Sequence, residues 1–181
     1  MLRRTFLSLA LSALALPANA ADPTANERAK KVLDAHVAKM KPLEKDAGIA
    51  WWNANVTGKD EDFQKKEEAQ NKIDSLLSNP VTFRELKALK EGGAITDPLL
   101  ARQVDVVYLQ YLEKQVDPFV LREMVAKANS IEKAFNVYRA KVDGKELSEN
   151  DVHKILKNSK DSTERRKAWE GSKGVGAVVE K

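Results

Sequence analysis

Histidine and cysteine supply most transition-metal sites in proteins, and this chain offers few of them. It contains two histidines, His36 and His153, and no cysteine among its 181 residues. The common zinc-hydrolase motif is His-Glu-x-x-His on a helix, in which the histidines hold the metal and the glutamate acts as general base. Neither histidine begins that pattern. The sequence therefore predicts no catalytic and no metal-binding residue in this chain, and it predicts that both histidines lie at the surface.

The stretch from Asp161 to Gly176 has the most distinctive composition of the chain. Asp161 or Ser162 can cap a helix, and Trp169 would be the one large apolar anchor of that helix. Glycines follow at positions 171, 174 and 176, where each costs a helix about 1 kcal/mol. They are therefore expected where another part of the structure comes close to the backbone. A phosphate-binding glycine loop is the alternative, but no apolar strand precedes the glycines and no Lys-Ser or Lys-Thr pair follows them.

Two segments of the chain resemble one enzyme family. The segment Ala168-Trp169-Glu170-Gly171, preceded by basic residues, resembles a segment near the N-terminus of the angiotensin-converting-enzyme-like zinc metallopeptidases (peptidyl-dipeptidase A), which are related to the oligoendopeptidases. The segment at 50–57, Ala-Trp-Trp-Asn-Ala-Asn-Val-Thr, resembles the segment that closes the first long helix of that family. The order and separation of the segments also resemble those of the family. The resemblance implies an all-helical fold in which N-terminal helices form a lid over a cleft that admits small peptides.

The resemblance also bears on the cofactor and on one candidate site residue. It implies zinc for the full-length enzyme, with the zinc ligands downstream of this chain, so that no cofactor is expected here. In animal members an Arg three positions after the glutamate of the second segment helps to hold a chloride ion. Lys173 occupies that position here, and Ser172 precedes it where those relatives have Trp. Lys173 is thus the one residue to which an anion-binding role carries over, and the change at Ser172 argues against that role.

The first twenty residues have the pattern of a secretory signal peptide. Arg3 and Arg4 precede an apolar run, and Ala18-Asn19-Ala20 forms a cleavage site. We therefore expect a mature chain of residues 21–181 that is secreted to the periplasm, without a stable membrane anchor. The whole chain has 31 basic and 27 acidic residues, and removing the two arginines leaves 29 basic residues. Because the basic and acidic residues are interleaved, no nucleic-acid-binding surface is predicted.

Helix-start signals and apolar spacing predict an all-α fold, an array of long amphipathic helices with one small β-hairpin. Proline follows Asp or Asn four times, which places a capping side chain directly before the first helical position. Helices are predicted over about 23–54, 61–78, 80–91, 98–115 and 118–136, and from Ser148 and Asp161 onward. A tight hairpin turn is predicted at Asp143-Gly144. The four Pro-containing start signals are Asp22-Pro23, Asn79-Pro80, Asp97-Pro98 and Asp117-Pro118.

Apolar residues three or four positions apart predict which face of each helix is buried. Three aromatic residues are expected to anchor the core: Trp51 in the first helix, Phe135 in the fifth and Trp169 in the last. Trp52 is expected to be partly exposed, because neighbouring helix positions face different directions. The second helix is mostly charged and is predicted to lie on the surface. The fifth helix is predicted to bury Val120, Met124, Ala128, Ile131 and Phe135.

Two hypotheses of function follow from these observations. The preferred one is an N-terminal fragment of a secreted zinc-dependent metallopeptidase, with the lid and the start of the body in residues 21–181. Such a fragment is expected to be inactive alone, and its partner would be the remainder of the peptidase or a complementing fragment. The sequence stops within a predicted helix at 178–181, without a C-cap glycine, which favours this hypothesis. The alternative is a periplasmic helical interaction module without enzymatic activity.

Overall fold

A computed structural model describes residues 23–180 as an array of helices with one two-stranded hairpin, which confirms the predicted all-α class. The predicted signal peptide and the cap at Asp22 lie outside the described residues. Among residues 23–180, none of the helices combines the length and the apolar character that a membrane span requires. The elements are α1 (Pro23–Thr57), α2 (Asp60–Leu77), α3 (Pro80–Glu91), α4 (Pro98–Glu113), α5 (Pro118–Val137), β1 (Ala140–Val142), β2 (Lys145–Leu147), α6 (Glu149–Asn158), α7 (Ser162–Lys173) and α8 (Val175–Val179).

Side-chain caps start three successive helices, as the Asn-Pro and Asp-Pro pairs predict. Asn79 accepts hydrogen bonds from the first backbone N–H groups of α3, and Asp97 and Asp117 do the same for α4 and α5. Each cap satisfies donors that have no partner within the helix, and each proline supplies a φ that suits the first helical position. The helix predicted from Ser148 is α6, and a capping box between Ser148 and Asp151 starts it. These local signals therefore fix where the helices begin.

The larger hydrophobic cluster fills the space between α1, α2, α3 and α4. Tyr111, Leu86 and Val104 are among its most deeply buried members. The predicted faces of α1 and α4 agree with it in part, because Leu33, Met40, Val104 and Tyr111 are buried. Aliphatic side chains from four helices dominate this cluster, and their removal from water stabilises the packing of the helices. The buried members are Ala29, Val32, Leu33, Met40, Leu77, Leu86, Leu89, Val104 and Tyr111.

The prediction that α2 lies on the surface is correct for one side of the helix, where Glu61, Lys65, Glu68 and Lys72 are exposed, and wrong for the other side. This helix packs against α1 on one side and α5 on the other, and Phe63 and Asp74 are buried. Its charged residues can occupy an internal position because they are paired. Lys66 donates hydrogen bonds to the Glu132 carboxylate at 2.7 Å and to the Asn129 amide oxygen at 3.1 Å. A buried charge is tolerated when hydrogen bonds and an opposite charge replace its water.

The buried face of α5 also differs from the prediction. All five residues predicted to be buried, Val120, Met124, Ala128, Ile131 and Phe135, are exposed, and the residues that α5 buries are Leu121 and Asn129. The more polar face is turned inward because α1 and α2 offer it hydrogen-bond partners. The Asn129 amide donates to the Phe63 carbonyl at 3.0 Å and to the Glu67 carboxylate at 3.2 Å. Apolar periodicity identifies the most apolar face of a helix, and here that face is turned toward solvent.

The hairpin and the last helices form a second, smaller hydrophobic cluster. Strands β1 and β2 are antiparallel and joined by Asp143 and Gly144, both with positive φ, as a tight two-residue turn requires. The hairpin predicted around Asp143-Gly144 is confirmed, and its first strand begins at Ala140. Behind it, α6 and α7 bury one small residue each against the hairpin. The buried members of the cluster are Ala140, Val152 and Ala168.

The glycines near the C-terminal end permit close packing between α7 and the hairpin. A Cβ atom at Gly171 would lie 2.9 Å from Val142 Cγ2, and one at Gly174 would overlap the Tyr138 hydroxyl oxygen. The Tyr138 hydroxyl donates a hydrogen bond to the Gly171 carbonyl at 2.7 Å. The predicted close approach is therefore confirmed at these two positions, and it is made by residues of this chain. Gly174 also separates α7 from α8, so the predicted single last helix is two.

Replacing Gly174 by Ala should lower the free energy of unfolding by about 1–3 kcal/mol, because Tyr138 must move to admit the methyl group. Gly174 has a negative φ, so the cost is steric and does not come from the backbone. Gly176→Ala is the matched control, since nothing lies within 4 Å of its added Cβ. That control should raise stability by about 0.5–1 kcal/mol through backbone entropy. Urea unfolding of both variants measures the two changes in the free energy of unfolding. Equal changes in the two variants would contradict the close contact between Gly174 and Tyr138.

Candidate functional site

One residue of the first family-like segment and two residues that directly follow the second line the same cavity. Asn55 from the first segment and Ser172 and Lys173, next to the second, line a cavity of about 360 Å³ between α1, α5 and the hairpin with α6 to α8. We call it the motif cavity. Apolar side chains, including Phe135 and Val152, form part of its wall, and charged residues of both signs form the rest. The sequence places these two segments more than 100 residues apart, and the fold brings them together.

Amide hydrogen bonds fix the wall of the motif cavity that α1 and α5 form. The Asn136 side chain donates to the backbone carbonyl of Asn55 at 3.2 Å and to its side-chain oxygen at 3.0 Å. The Asn55 amide donates in turn to Glu132 at 3.3 Å. These contacts hold the C-terminal end of α1 against α5. Sequence reasoning missed Asn55, Glu132 and Asn136 as a group, and the polar positions 129, 132 and 136 on one face of α5 were the available signal.

Glu132 is the electrostatic centre of this wall. Burial raises the pKa of the Glu132 carboxyl, but hydrogen bonds from Lys66 and Asn55 outweigh burial and bring the pKa below its ordinary value. The group is therefore an anion that accepts hydrogen bonds from both neighbouring helices. A carboxylate in this state is held in place as a structural acceptor and is not poised as a general acid near neutral pH.

The three aromatic residues predicted to anchor the core are half-exposed, so that prediction is wrong. Trp51 is 50%, Phe135 53% and Trp169 52% exposed. In each helix a smaller or polar neighbour takes the buried position instead. Ala54 is fully buried in α1, and Ala168 is fully buried against the hairpin. Trp52, predicted to be partly exposed, is exposed.

We group these exposed aromatic residues with the exposed apolar residues of α5, because Phe135 lines the motif cavity and Lys173, another lining residue, lies over Trp169. Phe135 lines the cavity, and Trp51 precedes the lining residue Asn55 by one helical turn, where its carbonyl accepts a hydrogen bond from the Asn55 amide at 2.9 Å. Lys173, which also lines the cavity, lies over the Trp169 ring at 5.5 Å from the ring centroid. The outward face of α5 extends the surface by positions three or four apart. We call it the anchor surface; its residues are Trp51, Val120, Met124, Ile131, Phe135 and Trp169.

Lys173, to which the family resemblance assigns a possible anion-binding role, is exposed at the rim of the motif cavity. Its ammonium group lies over the Trp169 ring and makes a cation–π contact. Glu132 and Glu149 line the same cavity. Arg139 lines it as well, so two carboxylates and two cations, Lys173 included, face the cavity and the lining has no excess positive charge that would favour an anion. The anion-binding role of Lys173 stays a prediction, and the local charges do not favour it.

The structure separates the two histidines by environment. His36 is only 7% exposed, so its predicted surface position is wrong; it lies on the buried face of α1, three residues after Leu33. Its Nδ1 atom is 3.4 Å from the Tyr111 hydroxyl oxygen. His153 is exposed as predicted, 3.8 Å from Glu149. Within residues 23–180 no three His, Cys, Asp or Glu side chains form a group that could hold a metal ion, so no step of zinc chemistry is assigned to this chain.

The buried position of His36 predicts a pH-dependent stability. Burial lowers the pKa of His36 below its ordinary value of 6.5, although the charge of Glu44 raises it somewhat. Between the folded and unfolded pKa values the unfolded chain binds more protons, so the free energy of unfolding rises with pH there. Stability should therefore fall as the pH drops below 6.5. Urea midpoints measured at a series of pH values check this prediction. The midpoint should depend less on pH in the His36→Gln variant, whereas His153→Gln should leave the dependence unchanged. The same pH dependence in the unmodified chain and in both variants would contradict the prediction.

Comparisons with protein-family models, with curated proteins and with solved structures found no match. The functional argument therefore depends on the two family-like segments and on the geometry around them. That geometry consists of the motif cavity, the anchor surface beside it and the hydrogen-bonded wall at Glu132. It provides apolar area and fixed hydrogen-bonding groups, which suit binding.

Proposed function

We propose that this chain is the N-terminal part of a zinc-dependent metallopeptidase that hydrolyses small peptides, and that it docks through the anchor surface onto the part that holds the metal. One observation carries the proposal. The tryptophans of both family-like segments, Trp51 and Trp169, are half-exposed beside a cavity that residues from the same parts of the chain line. Aromatic residues clustered at a surface are typical of the centres of protein interfaces.

The arrangement of α5 supports the same proposal. This helix turns its apolar face outward and its hydrogen-bonded polar face inward. A large exposed apolar face is unfavourable for a protein that functions alone and is typical of a surface that another polypeptide covers. Covering it with further helices of a peptidase body would turn this face into core. The proposed role of this chain is to complete the lid and to restrict the cleft to small peptides.

A helical interaction module without enzymatic activity is the second candidate. The finding that favours it is that the described residues, 23–180, already form a core of their own. Two hydrophobic clusters are present, side chains cap helices α3, α4 and α5, and no buried side-chain polar atom of the described chain lacks a partner. A chain with these features can fold by itself and present the anchor surface to a partner. Export to the periplasm is expected under both proposals.

Tryptophan fluorescence distinguishes the proposals. The chain has three tryptophans, at 51, 52 and 169, and all are exposed. The purified chain should show the emission of solvent-exposed indole, bind no zinc stoichiometrically and cleave no peptide. Co-expression with the polypeptide encoded by the adjoining sequence should shift that emission to the blue and yield peptide hydrolysis that a chelator abolishes. Chelator-sensitive hydrolysis by the 181-residue chain alone would contradict the proposal. A blue shift without hydrolysis would favour the interaction module.

A further inference from the structure

A cleft between α1 and α3, separate from the motif cavity, combines apolar and basic groups. It has a volume of about 450 Å³. Val32 and Leu76 supply apolar lining, and the buried pair His36 and Tyr111 lies at its inner side. Thr82 of α3 adds a second hydroxyl next to Tyr111. A small ligand in this cleft would therefore meet an apolar surface and two hydroxyl groups.

The rim of this cleft is positively charged. Arg28, Lys31 and Lys39 of α1 line it, at positions that lie on one side of the helix. Within residues 23–180, none of these three cations forms an ion pair with a carboxylate. Glu85 of α3 is the acidic residue among the lining groups. With His36 neutral, the cleft carries a net charge of two positive units, which favours an anion.

The start of α3 adds to the positive potential of the cleft. Asn79, its N-cap residue, lines the cleft, so the positive end of the helix dipole lies at its edge. The Asn79 side chain already accepts hydrogen bonds from two backbone N–H groups of the first turn. The helix end therefore contributes its field, while the lysine, arginine and hydroxyl groups supply the hydrogen bonds. Positive charge and hydrogen-bond donors are therefore found in the same cleft as the apolar lining.

We propose that the cleft between α1 and α3 binds a small carboxylate with a short apolar chain. The carboxylate would lie among Arg28, Lys31 and Lys39, and the apolar chain would lie on Val32 and Leu76. The apolar lining distinguishes this ligand class from inorganic anions, which would leave that surface in water. The site does not depend on the anchor surface, so it stands or falls separately from the peptidase proposal.

Titration of the full chain with hexanoate, followed by NMR, tests the proposal. We expect saturable shifts of the backbone amides of Val32, His36 and Thr82, with weaker binding of acetate, which lacks the longer apolar chain. Inorganic phosphate tests the charge alone. Binding of phosphate as tight as that of hexanoate would overturn the assignment of a carboxylate with an apolar chain. The absence of saturable shifts with hexanoate would overturn the site itself.

Two variants that change the charge of the cleft in opposite directions test the proposal further. Lys31→Gln should weaken hexanoate binding about two- to fivefold, and Glu85→Gln should strengthen it by a similar factor, as expected for partly exposed ion pairs. Lys45→Gln removes a charge from α1 outside the cleft lining and should leave the dissociation constant unchanged. All three changes are at exposed positions, so each variant should keep the native NMR spectrum. Equal effects of Lys31→Gln and Lys45→Gln would overturn the proposal.

Discussion

Trp51→Ala and Trp169→Ala should each weaken assembly with the peptidase body by about 2 kcal/mol or more, roughly a thirtyfold loss of affinity. The reason is that both rings lie in the anchor surface, where a partner would remove them from water. In the isolated chain each change should alter the free energy of unfolding by less than about 1 kcal/mol, because half of each ring is already exposed. Titration calorimetry and urea unfolding measure the two effects separately.

The control for these variants is Val81→Ala. Val81 is an exposed apolar residue on α3, outside the anchor surface, and its removal should change neither assembly nor folding. Replacing a buried tryptophan by Ala costs about 3 kcal/mol or more. A loss of that size in the free energy of unfolding of the isolated Trp169→Ala variant would indicate that Trp169 is a core residue. That result would contradict the exposed position of the ring. An unchanged affinity for the partner would contradict the anchor surface.

Phe63→Ala should lower the free energy of unfolding by about 3–5 kcal/mol, the largest effect expected on folding. Phe63 is 1% exposed and lies on α2, between α1 and α5. Its backbone carbonyl also accepts the Asn129 hydrogen bond, so a cavity here would loosen the contact between α2 and α5. Urea unfolding with a constant slope measures the effect.

Leu99→Ala is the comparison for this core variant. Leu99 is an exposed leucine on α4, and its truncation should cost less than about 0.5 kcal/mol. The pair tests the position of α2, which its charged composition alone would place at the surface. Similar small losses for Phe63→Ala and Leu99→Ala would show that α2 is not held between two helices.

The starts of the helices could be predicted from the sequence because they depend on local chemistry. Asn79, Asp97 and Asp117 cap the helices that their prolines begin, and the turn at Asp143-Gly144 forms as expected. Each of these features involves residues within a few positions of one another. A capping side chain or a residue with positive φ needs no information about the rest of the fold.

The orientation of α5 could not be predicted because it depends on distant partners. Its apolar stripe predicts burial of Met124 and Phe135, but Asn129 and Glu132 face inward to meet Lys66 and Asn55. Apolar periodicity identifies a face and does not say whether this chain or another polypeptide covers it. The same reason explains the aromatic anchors at 51, 135 and 169. Their spacing indicates an apolar contact, which this chain leaves uncovered.

The candidate site could be predicted only in part. The two family-like segments direct attention to Trp51 and Trp169, and both border the region that the structure identifies. The hydrogen bonds among Asn55, Glu132 and Asn136 join α1 to α5 across more than 70 positions, and no local pattern indicates them. The same applies to the buried position of His36, since its contact with Tyr111 depends on the packing of α1 against α4.

The most direct test of the central claim is the activity of the polypeptide that the adjoining coding sequence encodes, joined to this chain. We expect that sequence to contain His-Glu-x-x-His, and the joined protein to bind one zinc ion and hydrolyse small peptides. Deleting residues 21–181 or replacing Trp51 and Trp169 together by Ala should impair that hydrolysis. An adjoining sequence without a zinc-binding motif, or a zinc peptidase that is equally active without residues 21–181, would contradict the account.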